Sequence, residues 1–423
     1  MKLNRRKIKI VIGGPCPSTT DDRGDEAVFY NFCVGIRKFF DCEITALVRH
    51  PNKKFEQLFD VKTIKNFDHD SHEESEGRFF LGFNPGDSPG NLKTIKKTIE
   101  ACDLVVIGGS CFEENSPDTF LRGQGFYGAM LAMLATFFAK PYAVYGMMQP
   151  LIKKDTTRQL AKFVCEGAQV VTLKEQYSRE QLLNANISDQ NMHVLVDPAL
   201  GVQPIFDLEK GLNILEQEDI NVTKKPIVGI LFRSFYWLWN EIEFKNYRDK
   251  LAEFCDQIIE KYDVQLLFIP LQCYTKGNPY IDDRFTARQV CNSIQNKSVV
   301  FTIKGNYALP ETLSLFQLLD LVITNRRHGT NFAALHHVPF MTLYTHENKW
   351  KIYPLLKSLE MSDYAIDFEN FNINHLIESF DKIWKIKTKL SKKLASQVIK
   401  LQEKAALHTE LIAKNILKKV NRG

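Results

Sequence analysis

Residues 320–339 carry the side chains best suited to chemistry. An apolar run ends at Thr324, and Arg326, Arg327 and His328 occupy the turn before a helix of small residues. Two guanidiniums beside the N–H groups of a helix N-terminus make an anion site suited to carboxylate or phosphate. An imidazole in that place can carry a proton near neutral pH. The pattern favours anion binding with proton transfer over a surface arginine pair beside a chance histidine.

Arg233 ends an earlier apolar run, Pro226–Phe232, in the same way. The carboxyl ends of parallel strands meet at one edge of a sheet, where open α/β folds bind ligands. We therefore expect Arg233 to point into a cleft beside Arg326. An exposed arginine at a strand end is the alternative.

Small residues follow two strands of the N-terminal half. Gly14 comes after the first strand, and Gly108, Gly109 and Ser110 come after a later one. Glycines at a strand's carboxyl end let a ligand approach the backbone, although a tight turn into the next helix explains them equally well. Asp25 opens the first helix as an expected N-cap. We predict that this loop lines the cleft and that Asp25 contacts a sugar hydroxyl, with simple capping as the alternative.

Residues 123–128 match the G-x-G-x-x-G pattern of dinucleotide-binding proteins. That pattern needs a strand immediately before it, whereas here the preceding strand ends near Gly109. No acidic residue stands where the ribose would require one. The pattern therefore indicates a close-packed helix entry rather than an NAD site.

Short apolar runs that alternate with amphipathic stretches must position these residues. Continuous apolar runs are typical of parallel strands buried on both faces, and strand–helix alternation predicts open parallel sheets with right-handed crossovers. The predicted strands are Ile8–Gly13, Ile44–Val48, Leu104–Gly108, Tyr142–Met147, Val170–Leu173, His193–Val196, Ile227–Phe232, Gln265–Pro270, Val299–Ile303, Leu321–Thr324 and Phe340–Leu343. The fold class is therefore α/β, with two Rossmann-like domains whose parallel sheets face each other across a cleft.

The length of 423 residues also favours two domains. We place an N-terminal Rossmann-like domain at residues 1–204, a linker at 205–225 and a C-terminal Rossmann-like domain at 226–365. A helical segment with a basic tail fills 366–423.

The composition excludes several classes of protein. Hydrophobic residues make up 44% and charged residues 25%, as in soluble globular proteins, and no run of eighteen apolar residues predicts a membrane span. The first apolar run is too short for a signal-peptide core. Nine scattered cysteines without a C-x-x-C spacing suit buried thiols in a reducing compartment, hence the cytoplasm. The insertion Phe67–Gly90 contains histidines and acids, but their spacing matches no closed metal site, so we predict no metal.

The positive charge is concentrated in the tail. Residues 384–423 hold ten lysines and one arginine against two glutamates, an excess of nine; the whole chain carries +5, so the rest carries −4. No basic stripe with aromatics predicts nucleic-acid binding by the body. Apolar residues at helical spacing in the tail favour a helix docked on the body with a solvated lysine face. The alternative is peripheral contact with anionic lipid at the inner face of the membrane, or with a polyanionic acceptor.

The chain resembles the polysaccharide pyruvyl transferase family from about Ile8 to Lys349. The resemblance rests on the order and spacing of several motifs. They are Gly24-Asp25-Glu26-Ala27, Asp103-Leu-Val-Val-Ile-Gly-Gly, Val171-Thr-Leu-Lys-Glu175 with Ser178, Asp197-Pro198-Ala199, Gly229-Ile-Leu-Phe-Arg233, and Arg326-Arg-His328 with Ala333-Ala334 and Val338-Pro339.

The resemblance implies a fold like that of the GT-B glycosyltransferases, with the N-terminal domain on the acceptor side and the C-terminal domain on the donor side. It also implies a transferase that moves the enolpyruvyl carbons of phosphoenolpyruvate onto two hydroxyls of one sugar, giving a cyclic ketal and phosphate. The acceptor would be a cell-surface polysaccharide or its carrier-lipid-linked precursor. No cofactor is expected beyond this donor substrate.

Three residues match family positions linked to phosphoenolpyruvate binding: Arg233, Arg326 and His328. We assign Arg326 and His328 as catalytic, with His328 as the general acid or as an assistant to phosphate departure. The expected substrate contacts are Arg233, Arg327, Gly14, Asp25, Gly108, Gly109 and Ser110. The sequence departs from the family pattern at Asp22, where asparagine is common, at Lys174, where arginine is common, and at Arg327, which replaces an apolar residue.

Two rival functions fit the same fold class. One is a GT-B glycosyltransferase that uses a nucleotide sugar, with Glu311 as the ribose partner; no glycine-rich phosphate loop accompanies that residue. The other is a non-catalytic saccharide-binding relative.

Overall fold

The computed structural model describes residues 7–14, 21–67, 89–109, 112, 114, 123–235, 240–274, 279–370 and 372–420. These residues form two compact units. Unit 1 takes its described residues from 1–19, 25–201 and 403–423, and unit 2 takes its described residues from 20–24 and 202–402.

Unit 1 is built on a seven-stranded parallel sheet. Its strands are β1 (Ile8–Gly13), β2 (Cys42–Val48), β3 (Lys62–Lys65), β4 (Leu104–Gly108), β5 (Tyr142–Met147), β6 (Val171–Leu173) and β7 (Met192–Val194). They lie in the order β3-β2-β1-β4-β5-β6-β7. The central strands β1, β4 and β5 bury almost every side chain, because helices cover both faces of the sheet. The helices along this part of the chain are Arg23–Arg37, Lys53–Phe59, Pro89–Ala101, Gly123–Phe137, Asp155–Gly167 and Gln176–Asn184.

The glycine pattern at residues 123–128 opens the helix Gly123–Phe137, as predicted. A Cβ atom on Gly125 would lie 2.7 Å from the ring of Phe112, closer than real contacts allow. Phe112 is fully buried in the core of unit 1. The small residue at position 125 therefore serves close packing.

Unit 2 is built on a six-stranded parallel sheet. Its strands are β8 (Ile227–Leu231), β9 (Gln265–Phe268), β10 (Val300–Thr302), β11 (Leu321–Thr324), β12 (Phe340–Tyr344) and β13 (Ala365–Asp367). They lie in the order β10-β9-β8-β11-β12-β13. Its helices are Leu208–Gln217, Glu241–Tyr262, Asp283–Ser293, Leu309–Ser314, Arg327–Leu335, Lys349–Ser358 and Ile373–Lys385. Fully buried phenylalanines, among them Phe254, Phe268 and Phe332, fill the core around the sheet.

The region predicted as a linker, residues 205–225, contains the helix Leu208–Gln217. Asp207 caps this helix by accepting a hydrogen bond from the backbone N–H of Lys210 at 2.9 Å. Ile214 and Leu215 are buried, and a Cβ on Gly211 would lie 2.8 Å from the Ser314 carbonyl oxygen. This part of the chain is therefore a packed element of unit 2 rather than a connecting segment.

The basic tail forms a helix, Lys387–Val420, within the helical segment predicted for residues 366–423. Residues up to 402 belong to unit 2 and residues from 403 to unit 1. One face of the helix is buried, through Leu390, Leu394, Val398, Leu401, Ala405, His408, Ile412 and Ile416. Lys389, Lys392, Lys400 and Lys404 are exposed. The prediction of a docked helix with a solvated lysine face is confirmed. Among the described residues, no helix has the length and apolar character needed to cross a membrane.

Candidate active site

The register of two neighbouring strands brings the predicted arginines together. β8 and β11 pair in parallel with Leu231 opposite Thr324. Arg233 and Arg326 each follow two residues later, so both backbones leave the same edge of the unit 2 sheet side by side. The backbones of Arg233 and Arg326 are therefore adjacent, while the expectation that Arg233 points into a cleft stays a prediction.

Thr324 fixes the turn that carries the Arg-Arg-His sequence. Its hydroxyl donates to the Leu231 carbonyl at 2.8 Å and accepts from the N–H of Arg326 at 3.0 Å. A Cβ on Gly329 would lie 2.4 Å from this hydroxyl oxygen. Glycine at position 329 therefore lets the helix Arg327–Leu335 start directly against the strand end.

Asn325 holds the backbone of Arg233 from both sides. Its side-chain oxygen accepts from the Arg233 N–H at 2.9 Å, and its amide nitrogen donates to the Arg233 carbonyl at 3.0 Å. The same amide nitrogen donates to the hydroxyl of Tyr247 at 3.0 Å. Asn325 is 3% exposed, so this clamp is buried and fixes where the Arg233 side chain starts.

Arg326 is held by acidic and amide side chains. Its Nη2 donates to Asp283 Oδ1 at 2.6 Å and to Gln272 Oε1 at 3.0 Å, and its Nη1 donates to Asp22 Oδ2 at 3.3 Å. The side chain is 5% exposed, and its Nε has no hydrogen-bond partner among the described residues. A buried guanidinium needs such partners, because an uncompensated buried charge is strongly destabilising.

Asp22 belongs to unit 2, as Arg326 does. Asp22 pairs with Gln272 in an isolated antiparallel bridge, and the N–H of Arg23 donates to the Leu271 carbonyl at 2.8 Å. Asp22 Oδ1 also accepts from the N–H of Gly24 at 2.8 Å. The first helix begins at Arg23, so the expected N-cap at Asp25 was wrong: Asp22 precedes the helix and caps it, while Asp25 lies in its first turn.

The charges around Asp22 keep its carboxylate ionised. Burial raises the pKa of Asp22, but the charges of Arg326, His328 and Arg233 together lower that pKa below its ordinary value. In Asp283, burial dominates and raises the pKa, against the opposing effect of Arg326. These effects show that Arg233 and His328 stand close enough to Asp22 to act on its charge.

His328 occupies the first turn of the helix Arg327–Leu335. Its ring stacks on that of Phe332, with centroids 6.4 Å apart. A Cβ on Gly24 would lie 1.7 Å from His328 Nδ1, so only glycine fits there with the imidazole in this position. The segment that carries Asp22 therefore also packs on His328.

Arg327 takes a different direction from Arg326. Its Nη1 donates to the backbone carbonyl of Lys351, in the helix Lys349–Ser358. The predicted substrate contact of Arg327 stays a prediction.

Three predicted glycines meet at the carboxyl edge of the unit 1 sheet. Gly14 has a φ of +111°, and a Cβ there would lie 3.0 Å from the Gly108 carbonyl oxygen. Gly109 has a φ of +59° and donates its N–H to the Tyr145 carbonyl at 2.7 Å. The backbones approach closely, as the glycines suggested, while ligand contacts by these residues and by Asp25 stay predictions. Ser110 lies outside the described residues.

Unit 1 also contains a buried ion pair. One partner comes from the motif at residues 171–178 and the other is Asp197. Lys174 Nζ lies 3.5 Å from Asp197 Oδ1, with the two side chains 8% and 0% exposed. His408, from the helix Lys387–Val420, is buried beside this pair and lies with Nε2 2.8 Å from the Val196 carbonyl oxygen. Burial lowers the pKa of His408 to about 4, so its ring is neutral and Nε2 donates.

Sequence reasoning missed Asp283, Gln272 and Asn325, and noted Asp22 only as a departure from a family pattern. Asp283 opens a helix that was not predicted, and no apolar period marks that position. Asn325 was visible beside the arginines, but its clamp on Arg233 depends on the pairing of β8 with β11.

Solved structures share this fold at low sequence identity. The UDP-GlcNAc 2-epimerase from Methanocaldococcus jannaschii is 14% identical, with a TM-score of 0.60 over 89% of this chain and 92% of that one. A glycosyltransferase from Rickettsia africae is 14% identical, with a TM-score of 0.58 over 98% of this chain and 100% of that one. Alr3699/HepE from Anabaena, solved in complex with UDP, is 13% identical, with a TM-score of 0.58 over 98% and 100%.

At such identities the similarity concerns the fold alone, which is the GT-B fold of glycosyltransferases and epimerases. No curated protein sequence matches the chain. The sequence profile of the family described as polysaccharide pyruvyl transferase matches residues 6–347, which include Asp22, Arg233 and the Arg326–His328 turn. The chain belongs to the polysaccharide pyruvyl transferase family and is a transferase enzyme, and that family implies a sugar acceptor.

Proposed function

We propose that this protein transfers the enolpyruvyl group of phosphoenolpyruvate to two hydroxyls of a sugar in a cell-surface polysaccharide or its precursor. The observation that carries the proposal is the convergence of Arg233, Arg326 and His328 on one carboxylate, that of Asp22. Phosphoenolpyruvate brings a carboxylate and a phosphate, and two arginines with an imidazole match these groups in charge.

The reaction needs one proton to be added to carbon. His328, as a general acid, protonates the methylene carbon of the donor, which becomes a methyl group, and C2 takes on carbocation character. One sugar hydroxyl adds to C2, and a second hydroxyl replaces the phosphate, which leaves with the electrons of the C2–O bond. Of the two hydroxyl protons, one replaces the proton taken from His328 and the other leaves with the phosphate. The products are a cyclic ketal, which keeps the donor carboxylate, and inorganic phosphate.

Calorimetric titration with phosphoenolpyruvate tests the donor without knowledge of the acceptor. We expect saturable binding that is lost in Arg326→Ala and weakened in Arg233→Ala, because each arginine contributes a charge-assisted contact. His328→Gln should retain binding but lower phosphate release by about 10²- to 10⁴-fold once an acceptor is supplied. Full binding by Arg326→Ala would contradict the assignment of the donor site. Thermal unfolding of each variant separates lost binding from lost folding.

The similarity to GT-B structures supports a second candidate function, a glycosyltransferase that uses a nucleotide sugar as its donor. The names of two of the similar structures mention UDP compounds. The residue expected to hold a ribose, Glu311, instead accepts a hydrogen bond from the N–H of Ala308 at 2.7 Å and so caps its own short helix. Binding of a nucleotide sugar, with none of phosphoenolpyruvate, would favour this candidate. Binding of a saccharide with no turnover of either donor would favour a non-catalytic relative.

We propose that the protein contacts an anionic membrane surface peripherally and that lysine side chains alone make this contact. A lipid-linked acceptor would lie at the same surface. The apolar face of the helix Lys387–Val420 is buried in the protein, while Lys392, Lys400 and Lys404 are exposed. Such contact would be electrostatic and sensitive to salt. Replacing the three lysines by glutamate should abolish sedimentation with vesicles that contain phosphatidylserine, and unchanged sedimentation would contradict the contact.

A further inference from the structure

We propose that the carboxylate of Asp22 occupies the place at which an acid group of the anionic donor binds, so that the donor displaces Asp22 from Arg326. Asp22 would then set the affinity of the site for anions. This inference rests on the proposed function for the identity of the donor, but its geometry concerns any small anion.

The two acids on Arg326 are anchored very differently. Asp283 binds Arg326 Nη2 at 2.6 Å, and its other oxygen accepts from the N–H groups of Leu271 and Gln272, each at 2.9 Å. Its side chain is 4% exposed. Asp283 is therefore a permanent partner that holds the guanidinium in place.

Asp22 is the weaker partner. Its Oδ2 lies 3.3 Å from Arg326 Nη1, beyond the usual distance of a charge-assisted hydrogen bond, and its side chain is 13% exposed. The Oδ1 contact with the Gly24 N–H is an end-of-helix bond that a rotated side chain can lose at a cost of about 1 kcal/mol. Of the two acids, Asp22 makes the longer contact with Arg326 and is the more exposed, so it is the one that an anion can displace from Arg326.

The cationic side chains near Asp22 act on the position that its carboxylate occupies. Arg326, His328 and Arg233 all influence the charge of Asp22, and Arg233 also influences Asp283. An anion that replaced the Asp22 carboxylate would meet these three groups at once. While Asp22 stays beside them, its negative charge opposes the approach of a second anion.

The test compares Asp22→Asn with a matched control, Asp21→Asn. Asparagine keeps the size of the side chain and an oxygen for the Gly24 N–H, but removes the charge. Asp21→Asn removes the same charge one residue away, at a position with a φ of +48°, which asparagine tolerates. Binding of phosphoenolpyruvate and of inorganic phosphate is measured by calorimetry on the full chain, with Arg326→Ala alongside.

We expect Asp22→Asn to bind both anions about tenfold more tightly or better than the wild type, and Asp21→Asn to bind them as the wild type does. A gain of affinity is an effect that misfolding does not produce. If Asp22→Asn proves unstable, Asp22→Ser retains a capping oxygen and serves the same comparison.

The outcomes separate this inference from the proposed donor. If neither the wild type nor any variant binds phosphoenolpyruvate while Asp22→Asn gains affinity for phosphate, the assignment of phosphoenolpyruvate as the donor is wrong and the role of Asp22 stands. If a folded Asp22→Asn binds phosphate no more tightly than the wild type, or binds phosphoenolpyruvate more weakly, the inference about Asp22 is overturned.

Discussion

At the scale of single residues, the size of Gly24 determines where His328 can stand. A methyl group at position 24 would overlap the imidazole, at 1.7 Å from Nδ1. Gly24→Ala should therefore displace the ring and lower the rate of phosphate release by about 10²-fold or more, since a general acid acts only from hydrogen-bonding reach.

A double mutant separates this effect from a general loss of structure. If Gly24 acts through His328, Gly24→Ala in a His328→Gln background should cost little beyond His328→Gln alone. Rates for Gly24→Ala within a few-fold of the wild type would contradict the role of His328 in proton transfer. Additive losses would show that Gly24 acts through another contact.

The residues of the candidate site were only partly predictable. Arg233, Arg326 and His328 stand out because each follows an apolar run, and that rule holds wherever parallel strands end. Asp22 and Asp283 do not follow strands of the unit 2 sheet. Asp22 is brought to Arg326 by its bridge with Gln272, and Asp283 is held by the N–H groups of Leu271 and Gln272. No local pattern in the sequence predicts these contacts.

At the scale of secondary-structure elements, the helix Lys387–Val420 should contribute strongly to stability through one face only. Ile412 is fully buried, whereas Ile399 on the same helix is 60% exposed. Ile412→Ala should lower the free energy of unfolding by about 2–5 kcal/mol. Ile399→Ala makes the same chemical change and should alter it by no more than about 0.5 kcal/mol. Urea unfolding of both variants checks the pair, and equal effects would contradict the buried face.

The predicted strands fail where the apolar run is too short. β4, β5 and β11 have the predicted bounds because they are central, continuously apolar strands. β3 and β13 were missed because each contains a single large apolar residue, Ile64 and Ile366, whereas the edge strands β7 and β10 lie in longer apolar runs and were predicted. The helix Leu208–Gln217 was taken for a linker because its apolar residues fill too few turns to show a period.

At the scale of the whole molecule, two buried histidines in different units should make stability depend on pH in the same window. Burial lowers the pKa of His336, in unit 2, and of His408, in unit 1, to about 4 each. The unfolded chain binds these protons near pH 6.5, so the stabilisation is present above that pH and is lost as the pH falls from about 6.5 toward 4. Each site contributes on the order of 3 kcal/mol.

Urea unfolding at about pH 7 and about pH 5 measures this loss. His336→Gln and His408→Gln should each show a smaller loss between the two pH values than the wild type. The exposed His346 provides the control, because a hydrogen bond with Glu369 raises its pKa and its contribution is lost as the pH rises. In His346→Gln, the loss of unfolding free energy between about pH 7 and about pH 5 should therefore be at least as large as in the wild type. Unchanged pH dependence in both buried variants would contradict the assignment.

The division of unit 1 along the chain has a consequence for its synthesis. Residues up to 201 supply its whole sheet, but Ala405, His408, Ile412 and Ala413, which lie in its core, follow some 200 residues later. At ribosomal speeds of about 5–20 residues per second, these side chains are synthesised roughly 10–40 s after the seven strands. During that interval the nascent chain exposes apolar surface that the later helix covers. We therefore expect ribosome-bound chains that stop at residue 402 to recruit chaperones and to be cut by added protease within unit 1.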